Sequence, residues 1–389
     1  MANINVFMMG GRRCGKTTTL ALIKENFNQV LHHDVNEGND LLSLTADPGK
    51  IVSLDDAKNA LEHYFSDDYD PFTEFVVDDN RSVDITETVL RVSPVNGGES
   101  LNITFRDIPG EWFSEPEYEE HIKAWIQEAQ VLILAIDTPS LFAENGYYAE
   151  YYNRIMHISE HLKGALSGDF MNSPLSDKLL LFVPLKGEMK MFENKDGKKE
   201  DRDGKPHENG MKEITQKVKE HYADLIHHFQ IGVFREKMTM AVLPISTIPE
   251  MRWKRFGCKI DGQEASIFKE NGQPRRFNLH FDPNNHPYSI YTFRSPELYY
   301  RAARDGSTPY YCEQPLIYTL CYMLRLVTLN KTHKQGFWDT ILNKLKKILF
   351  PVFKVFDDNK AYDEELNRLS TKKMRRQNGF EIIQNPLGI

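Results

Sequence analysis

Long apolar runs are missing from this 389-residue chain. The longest, VLILAI at 131–136 and LLLFVPL at 179–185, fall far short of the ~20 residues that a spanning helix needs, so no transmembrane segment is expected. The first residues, MANINVFMMGG, show no basic leader with a long apolar core and a small-residue cleavage site, so no secretory signal is expected either. Cysteine is scarce: Cys14, Cys258, Cys312 and Cys321 form no CxxC pair, which argues against a structural zinc site and a disulfide framework. A reducing cytoplasm fits that usage. Positive charge is in deficit, with a formal net charge of -8, so the chain as a whole is not expected to bind nucleic acid. What remains, 40% hydrophobic and 27% charged residues, suffices for one large globular domain with insertions or for two modest ones.

The order of elements narrows this. INVFMMG at 4–10 is a short apolar run ending in glycine, and TTTLALIKENF at 17–27 follows with apolar residues at helical spacing, which gives strand, loop, helix. A helix is expected over 53–65, with Ser53 as N-cap and acidic residues in its first turn. DITETVLRV at 84–92 and LNITFRDI at 101–108 are joined by SPVNGGES, a loop suited to an antiparallel hairpin. Helices then alternate with strands: helix 117–129, VLILAID, helix 147–166, KLLLFVPLK, helix 211–229 and MTMAVLPIS. Such alternation predicts a mainly parallel sheet covered on both faces. Two segments interrupt it. Residues 187–210 are rich in Lys, Asp, Glu and Gly and read as a mobile insertion, whereas 252–309, with short alternating runs among Gly, Pro and aromatic residues, read as a small β-rich insertion. A helix at 312–327 returns to the core.

Gly10-Gly11-Arg12-Arg13-Cys14-Gly15-Lys16-Thr17 fits G-x-x-x-x-G-K-[ST], between a strand and a helix as that motif requires. Glycines let several backbone N–H groups, from Gly10 through Thr18, face a phosphate chain, and the helix N-terminus adds positive potential. Lys16 would reach the β- and γ-phosphates, and the Thr17 hydroxyl is a hard oxygen suited to Mg²⁺. Arg12 and Arg13 would neutralise transition-state charge in cis or point to solvent or a partner. Cys14 is either oxidation-sensitive or, as is more common, a small filler. A second acidic group stands at the end of the strand carrying Arg106-Asp107-Ile108-Pro109-Gly110. Alone, Asp before Pro-Gly is commonly an ordinary turn, but its place two elements after the phosphate loop assigns Asp107 to Mg²⁺.

The residues DIPG resemble the D-x-x-G motif of the translation-factor and Ras-like class of P-loop GTPases. DIPGEWF more narrowly resembles the D-x-P-G-E-W segment of bacterial YcjX-like GTPases and the double-GTPase proteins of bacterial conflict systems. The resemblance follows element order over about 4–327, but its specific motifs are a few short strings. It implies an α/β, three-layer P-loop NTPase (Ras-like GTPase) sheet with helices on both faces. It implies that Gly110 offers its N–H to the γ-phosphate and that Glu111, where many members carry Gln, orients the attacking water as the catalytic partner of Lys16. In place of N/T-K-x-D the chain has Leu185-Lys186-Gly187-Glu188, so Lys186 would lie along the base and Glu188 would accept from guanine. Leu185 departs from the pattern. Ser246 and Thr247 stand where the class places a turn that touches the base through backbone N–H groups. A flexible threonine that closes on the γ-phosphate is expected among Thr45, Thr73, Thr86 and Thr88.

Beyond the last core helix, apolar residues at helical spacing over 337–356 alternate with Lys344, Lys346, Lys347 and Lys354, a basic amphipathic helix broken near Pro351. Such a stripe serves a peripheral membrane contact, a partner, or docking onto the domain, and docking is the expectation. The tail with Lys372, Lys373, Arg375 and Arg376 is expected to be solvated. The expected organisation is therefore a P-loop GTPase domain over 1–330, with insertions at about 187–210 and 252–309, and a C-terminal amphipathic helix and basic tail over 331–389. The expected activity is Mg²⁺-dependent GTP binding and hydrolysis to GDP, switching a protein effector or activator. A nucleotide-bound scaffold with little hydrolysis and an ATPase are the alternatives.

Overall fold

The computed structural model describes residues 2–31, 42–46, 64–65, 70–76, 85–94, 101–143, 146–173, 175–193, 205–260, 263–265, 287–305, 309–329, 367 and 369–389. The amphipathic stretch 337–356, residues 194–204 of the first insertion and most of the helix expected at 53–65 lie outside them. Twelve strands are described: β1 (Ala2–Met9), β2 (Leu42–Ala46), β3 (Phe75–Val76), β4 (Thr86–Pro94), β5 (Leu101–Asp107), β6 (Val131–Asp137), β7 (Lys178–Leu185), β8 (Met238–Val242), β9 (Met251–Ile260), β10 (Gln263–Ala265), β11 (Pro287–Phe293) and β12 (Glu381–Gln384). The principal helices are α1 (Lys16–Leu31), α2 (Glu119–Glu128), α3 (Gly146–Asn153), α4 (Ile155–Ala165), α5 (Glu208–His221), α6 (Ala223–Gln230), α7 (Pro296–Asp305) and α8 (Gln314–Leu329).

The main sheet has eight strands in the order β12-β8-β7-β6-β1-β5-β4-β2. Its centre, β5, β1, β6, β7 and β8, is parallel; β4 and β12 flank it antiparallel, and β2 pairs antiparallel with β4. Every residue of β6 and β7 is buried, as strands covered on both faces must be. Period-two alternation sorts their side chains into two cores. Val131, Ile133, Leu181 and Val183 face the side of α1 and α8, with Leu20, Ile23, Leu316 and Tyr318. Leu132, Leu134, Leu180 and Phe182 face the other side, with Ile122 and Ile126 of α2, Leu162 of α4 and Val218 of α5. The result is the expected three-layer α/β arrangement, with the phosphate-loop sequence at the carboxyl end of a central parallel strand. No described helix is long and apolar enough to cross a membrane.

Several boundaries differ from the sequence expectation. The helix expected at 147–166 is two helices, because Arg154 takes a left-handed conformation with φ 52° between α3 and α4. The helix at 211–229 likewise breaks at Tyr222. The stretch read as a β-rich insertion supplies β9, β10 and β11 of a second, antiparallel sheet ordered β10-β9-β11-β3, with β3 arriving from before the hairpin. Its aromatic core includes Tyr64, Phe75, Tyr291, Phe293 and Tyr299.

The solvated tail is a correction. Residues 369–389 are built into the fold: β12 pairs with β8 at the sheet edge, and Met374, Phe380 and Ile389 are buried in the α8-side core. Gln384 Nε2 donates to the carbonyls of Phe229, Phe234 and Met238 at 3.0, 3.1 and 2.7 Å. Arg375 and Arg376 stay exposed on this segment, but the Arg375 carbonyl accepts from the Tyr318 hydroxyl. The chain end is held by tertiary partners rather than by its own composition.

One buried amine, its pKa lowered by burial to about 7, also supports the sheet from its far end. Lys178, fully buried at the start of β7, donates to the carbonyls of Gln127 at 2.7 Å and of Ala129. It thereby closes the C-terminus of α2, where free carbonyls and the helix dipole favour a cation. Lys178→Ala is expected to lower stability by about 3 kcal/mol, because it opens a cavity and leaves buried carbonyls unpaired. Urea unfolding measures this, and Lys178→Met, which keeps the volume, separates the two causes. Wild-type stability in the Met variant would refute the hydrogen-bond account.

Candidate functional site

Parallel pairing of β1 with β5 sets Met8 beside Asp107, so the loop after β1 and the end of β5 meet at one edge of the sheet. The loop is held by close backbone approaches. A Cβ at Gly11 would lie 1.6 Å from the Tyr152 carbonyl oxygen at the end of α3, and one at Gly110 would lie 2.4 Å from the Arg12 nitrogen. Only glycine fits either place. Cys14 points into the α1-side core and is fully buried, and that burial pushes its thiol pKa up. It is a filler of the loop.

Lys16 opens α1 and turns back over the loop. Its ammonium donates to the carbonyls of Gly10 and Gly11, both at 3.2 Å, and sits 3.7 Å from Asp107 Oδ1. Burial alone would lower its pKa, but Cys14, Asp107 and Glu111 together hold it above the ordinary lysine value. Burial pushes Asp107 up, against the pull of Lys16 and of the Thr17 hydroxyl, which donates to Oδ2 at 3.1 Å. Asp107 Oδ1 is buried and accepts no hydrogen bond. A hydroxyl and a carboxylate this close, with one carboxylate oxygen unsatisfied, fit Mg²⁺, which binds hard oxygens and keeps several waters. Among the described residues no cluster of three or more His, Cys, Asp or Glu offers an all-protein metal cage. Thr18 is half-buried in the same first turn. Of the four candidate threonines, strand register places Thr86 opposite Asp107, Thr88 is buried, Thr73 bonds the Asp70 carbonyl in an exposed turn, and Thr45 pairs with Arg91 on β2.

Gly110 and Glu111 begin a short 3-10 turn over Gly110–Ser114, pinned by buried Phe113. The Phe113 carbonyl is 3.0 Å from His161 Nε2. Glu111 Oε1 lies 3.1 Å from Arg12 Nε, so the carboxylate at the hydrolytic position is tied to the phosphate loop. Next to it, Trp112 stacks on Tyr118 with ring centroids 3.8 Å apart.

The end of β7 forms a second cluster beside the loop. Leu185, where the resemblance expects a polar residue, is buried in the core and packs towards Gly15. Lys186, left-handed at φ 58°, donates to the Arg13 carbonyl and, at 3.1 Å, to Asp137 Oδ2. Arg13 is itself left-handed at φ 59°. Glu188 is buried, and its Oε1 accepts from Ser246 Oγ at 2.9 Å, Thr247 N at 3.2 Å and Ile248 N at 3.5 Å. The structure thus joins Glu188, Ser246 and Thr247 to one another, whereas the Lys186 head turns to Arg13 and Asp137. Asp137 was missed, although it ends β6 as Asp107 ends β5. Arg154 was missed as well. It is nearly buried at the α3–α4 break, within 6.0 Å of the Tyr151 ring, and Tyr151 feels the charges of Arg154, Arg12 and Arg13.

No family model and no curated protein matches the chain. Among solved structures it is similar to two of the Ski7 GTPase-like domain of S. cerevisiae, one bound to GDP and inorganic phosphate and one bound to GTP. Each is 15% identical with a TM-score of 0.29, and the match covers 63% of this chain and 43% of that one. Less than half of the neighbour's length is therefore spanned. At this distance the geometry of the site itself carries the functional reading.

Burial pushes the Glu188 carboxyl up to about 7, against the hydrogen bonds that its own backbone N–H, Ser246, Ile248 and Thr247 donate. A raised carboxyl favours the folded state while both states are protonated, and loses that contribution as pH rises from the unfolded value of 4.5 through about 7. The stability of nucleotide-free protein should therefore fall over this window by roughly 3 kcal/mol more than that of Glu188→Gln. Urea midpoints at pH 4.5, 6 and 8 measure it, and parallel curves for the two proteins would contradict the assignment.

Proposed function

We propose that this protein binds GTP with Mg²⁺, hydrolyses it to GDP and switches a protein partner by its nucleotide state. The observation that carries this reading is the buried meeting of Lys16, Thr17 and Asp107 beneath the glycine loop. Lys16 donates to two loop carbonyls at 3.2 Å, an arrangement that phosphate oxygens, as charged acceptors, would outcompete. Loop N–H groups and the N-terminus of α1 add donors and positive potential. Thr17 and Asp107 would hold Mg²⁺, which would supply positive charge against the phosphates.

Glu111 would orient water once released from Arg12, and the freed guanidinium would then face the phosphates in cis. For guanine, the support is the division of labour at Glu188. Its bonds with Ser246, Thr247 and Ile248 all fall on Oε1, and Oε2 would accept from the ring N–H. Lys186 presents its alkyl stem from a head fixed at Arg13 and Asp137. The turn from Gly110 through Trp112 and Phe113 touches the loop and would carry the nucleotide state to a partner, as γ-phosphate-dependent segments do. The Arg12–Glu111 ion pair favours one second reading, a nucleotide-bound scaffold whose hydrolytic carboxylate stays engaged.

Calorimetric titration with GTP, GDP and ATP in Mg²⁺ should show guanine nucleotide binding that weakens by about 100-fold in Lys16→Ala, which loses a charged phosphate partner. ATP preference would move the protein to the ATPases and overturn the roles of Lys186 and Glu188. Single-turnover hydrolysis separates enzyme from scaffold: Glu111→Ala should slow turnover by about 100-fold or more with affinity nearly unchanged. Equal turnover would remove Glu111 from the mechanism.

A further inference from the structure

Glu188 belongs to a short helical turn, Glu188–Met191, whereas the groups that donate to it, from Ser246, Thr247 and Ile248, follow β8. Two separate parts of the chain must therefore stay in register for this carboxylate to keep its bonds. The turn is seated on α5: His207 N donates to the Met191 carbonyl at 2.6 Å, and a Cβ at Gly210 would lie 1.9 Å from the Lys190 carbonyl oxygen. The stretch after β8 is held elsewhere. Ser246 and Tyr310 exchange two backbone hydrogen bonds, at 3.0 and 2.9 Å, as an antiparallel bridge.

Two consecutive residues of the C-terminal segment reach both supports. Gly379, left-handed at φ 92°, lies against the first turn of α5, where a Cβ would come 2.5 Å from Met211 Cβ and 2.7 Å from its carbonyl carbon. The Gly379 carbonyl accepts from the Thr215 hydroxyl, one turn further along the same helix. Phe380 is buried and meets the Tyr311 ring edge to face, with centroids 5.2 Å apart at 86°. Tyr311 directly follows the bridging Tyr310 and is itself left-handed at φ 66°, a conformation that persists in a non-glycine residue only where its surroundings maintain it. Arg375 of the same segment adds its guanidinium 4.3 Å from the Tyr311 centroid. Phe380 and Met211 share one core with Met191 and Ile245, so the corner, α5 and both halves of the Glu188 cluster form one packed unit.

We propose that Gly379 and Phe380 are positioning residues for nucleotide binding: one braces α5 beneath the Glu188 turn, the other braces the Tyr310–Ser246 bridge, and together they keep Glu188, Ser246 and Thr247 in register for the nucleobase. The C-terminal segment is then part of the base site. This rests on the reading of those three residues as base-side groups. It gives the corner a role that acts on the base and leaves the phosphates alone.

The test uses the full chain and three probes, GDP, ADP and inorganic pyrophosphate, titrated calorimetrically in Mg²⁺. Thr215→Val keeps the side-chain shape and removes the hydroxyl that holds Gly379, and Phe380→Leu removes the ring from Tyr311 while keeping an apolar side chain in the core. Each should weaken the preferred nucleoside diphosphate about fivefold, as small displacements of binding groups do, while pyrophosphate affinity stays within about twofold. Should one variant fail to fold, the other decides. A purely structural role would move both ligands together or neither, and either result overturns the proposal. Glu188→Ala supplies the second arm: in that background neither substitution should weaken nucleotide binding further, and additive losses would refute action through Glu188. Selective loss of nucleotide in Glu188→Ala with none in the two variants would overturn the corner's role alone, whereas unchanged nucleotide affinity in Glu188→Ala would overturn the base reading and this proposal with it. Preference for ADP in the wild-type protein would overturn the guanine assignment, yet the ratio of nucleotide to pyrophosphate affinity in the variants would still decide the role of the corner.

Discussion

Everything near the sheet's carboxyl edge is arranged around two opposite charges withdrawn from water. Lys16 is 8% exposed and Asp107 3%, and desolvating such groups costs several kcal/mol apiece. Their mutual attraction at 3.7 Å is supplemented by the carbonyls of Gly10 and Gly11 and by the Thr17 hydroxyl. These groups come from the loop after β1, from α1 and from β5, so the parallel register of β1 with β5 is a condition for the pair to exist at all. Gly11 and Gly110 follow from the same constraint: the loop must sit close enough to α3 and to the turn after β5 that no Cβ can intervene.

That constraint explains what could be read from the sequence. The phosphate-loop string is legible because the chemistry fixes residue types at fixed spacing between a strand and a helix, and Asp107 is legible because it ends an apolar run two elements later. The central strands are legible because β6 and β7, buried on both faces, are apolar throughout except for Asp137 and Lys178 at their ends. The break between α3 and α4 is not. Apolar spacing continues across it, and an arginine carries no signal for φ 52°. The four residues of β12 are half-buried and short, so what orders them is pairing with β8 and the Gln384 contacts. The basic composition of 372–376 ahead of them points to solvent and is outweighed.

The base cluster lies between these cases. Lys186 and Glu188 were found by position after a strand, in spite of Leu185, and the structure shows what Leu185 does: it replaces a polar contact by packing on the core beside the loop. The partners that fix Lys186 were less legible. Asp137 has a signal, a carboxylate at a strand end, whereas the Arg13 carbonyl, a backbone group, has none.

Of the described non-glycine residues in left-handed backbone conformations, two, Arg13 and Lys186, lie at this site, each at a cost of order 1–3 kcal/mol. They are joined directly, since the Lys186 ammonium donates to the Arg13 carbonyl. The same ammonium reaches Asp137, and Asp137 caps the helical turn that follows β6 by accepting from Ser140 N at 3.1 Å. Relaxing either strained residue would therefore break the bond that restrains the other and release a carboxylate that is fully buried. The loop after β1 and the loop after β7 cannot shift independently under these conditions. A ligand that spans them meets one preorganised surface, and the ordering cost that two separate mobile loops would impose on binding is already met by the fold.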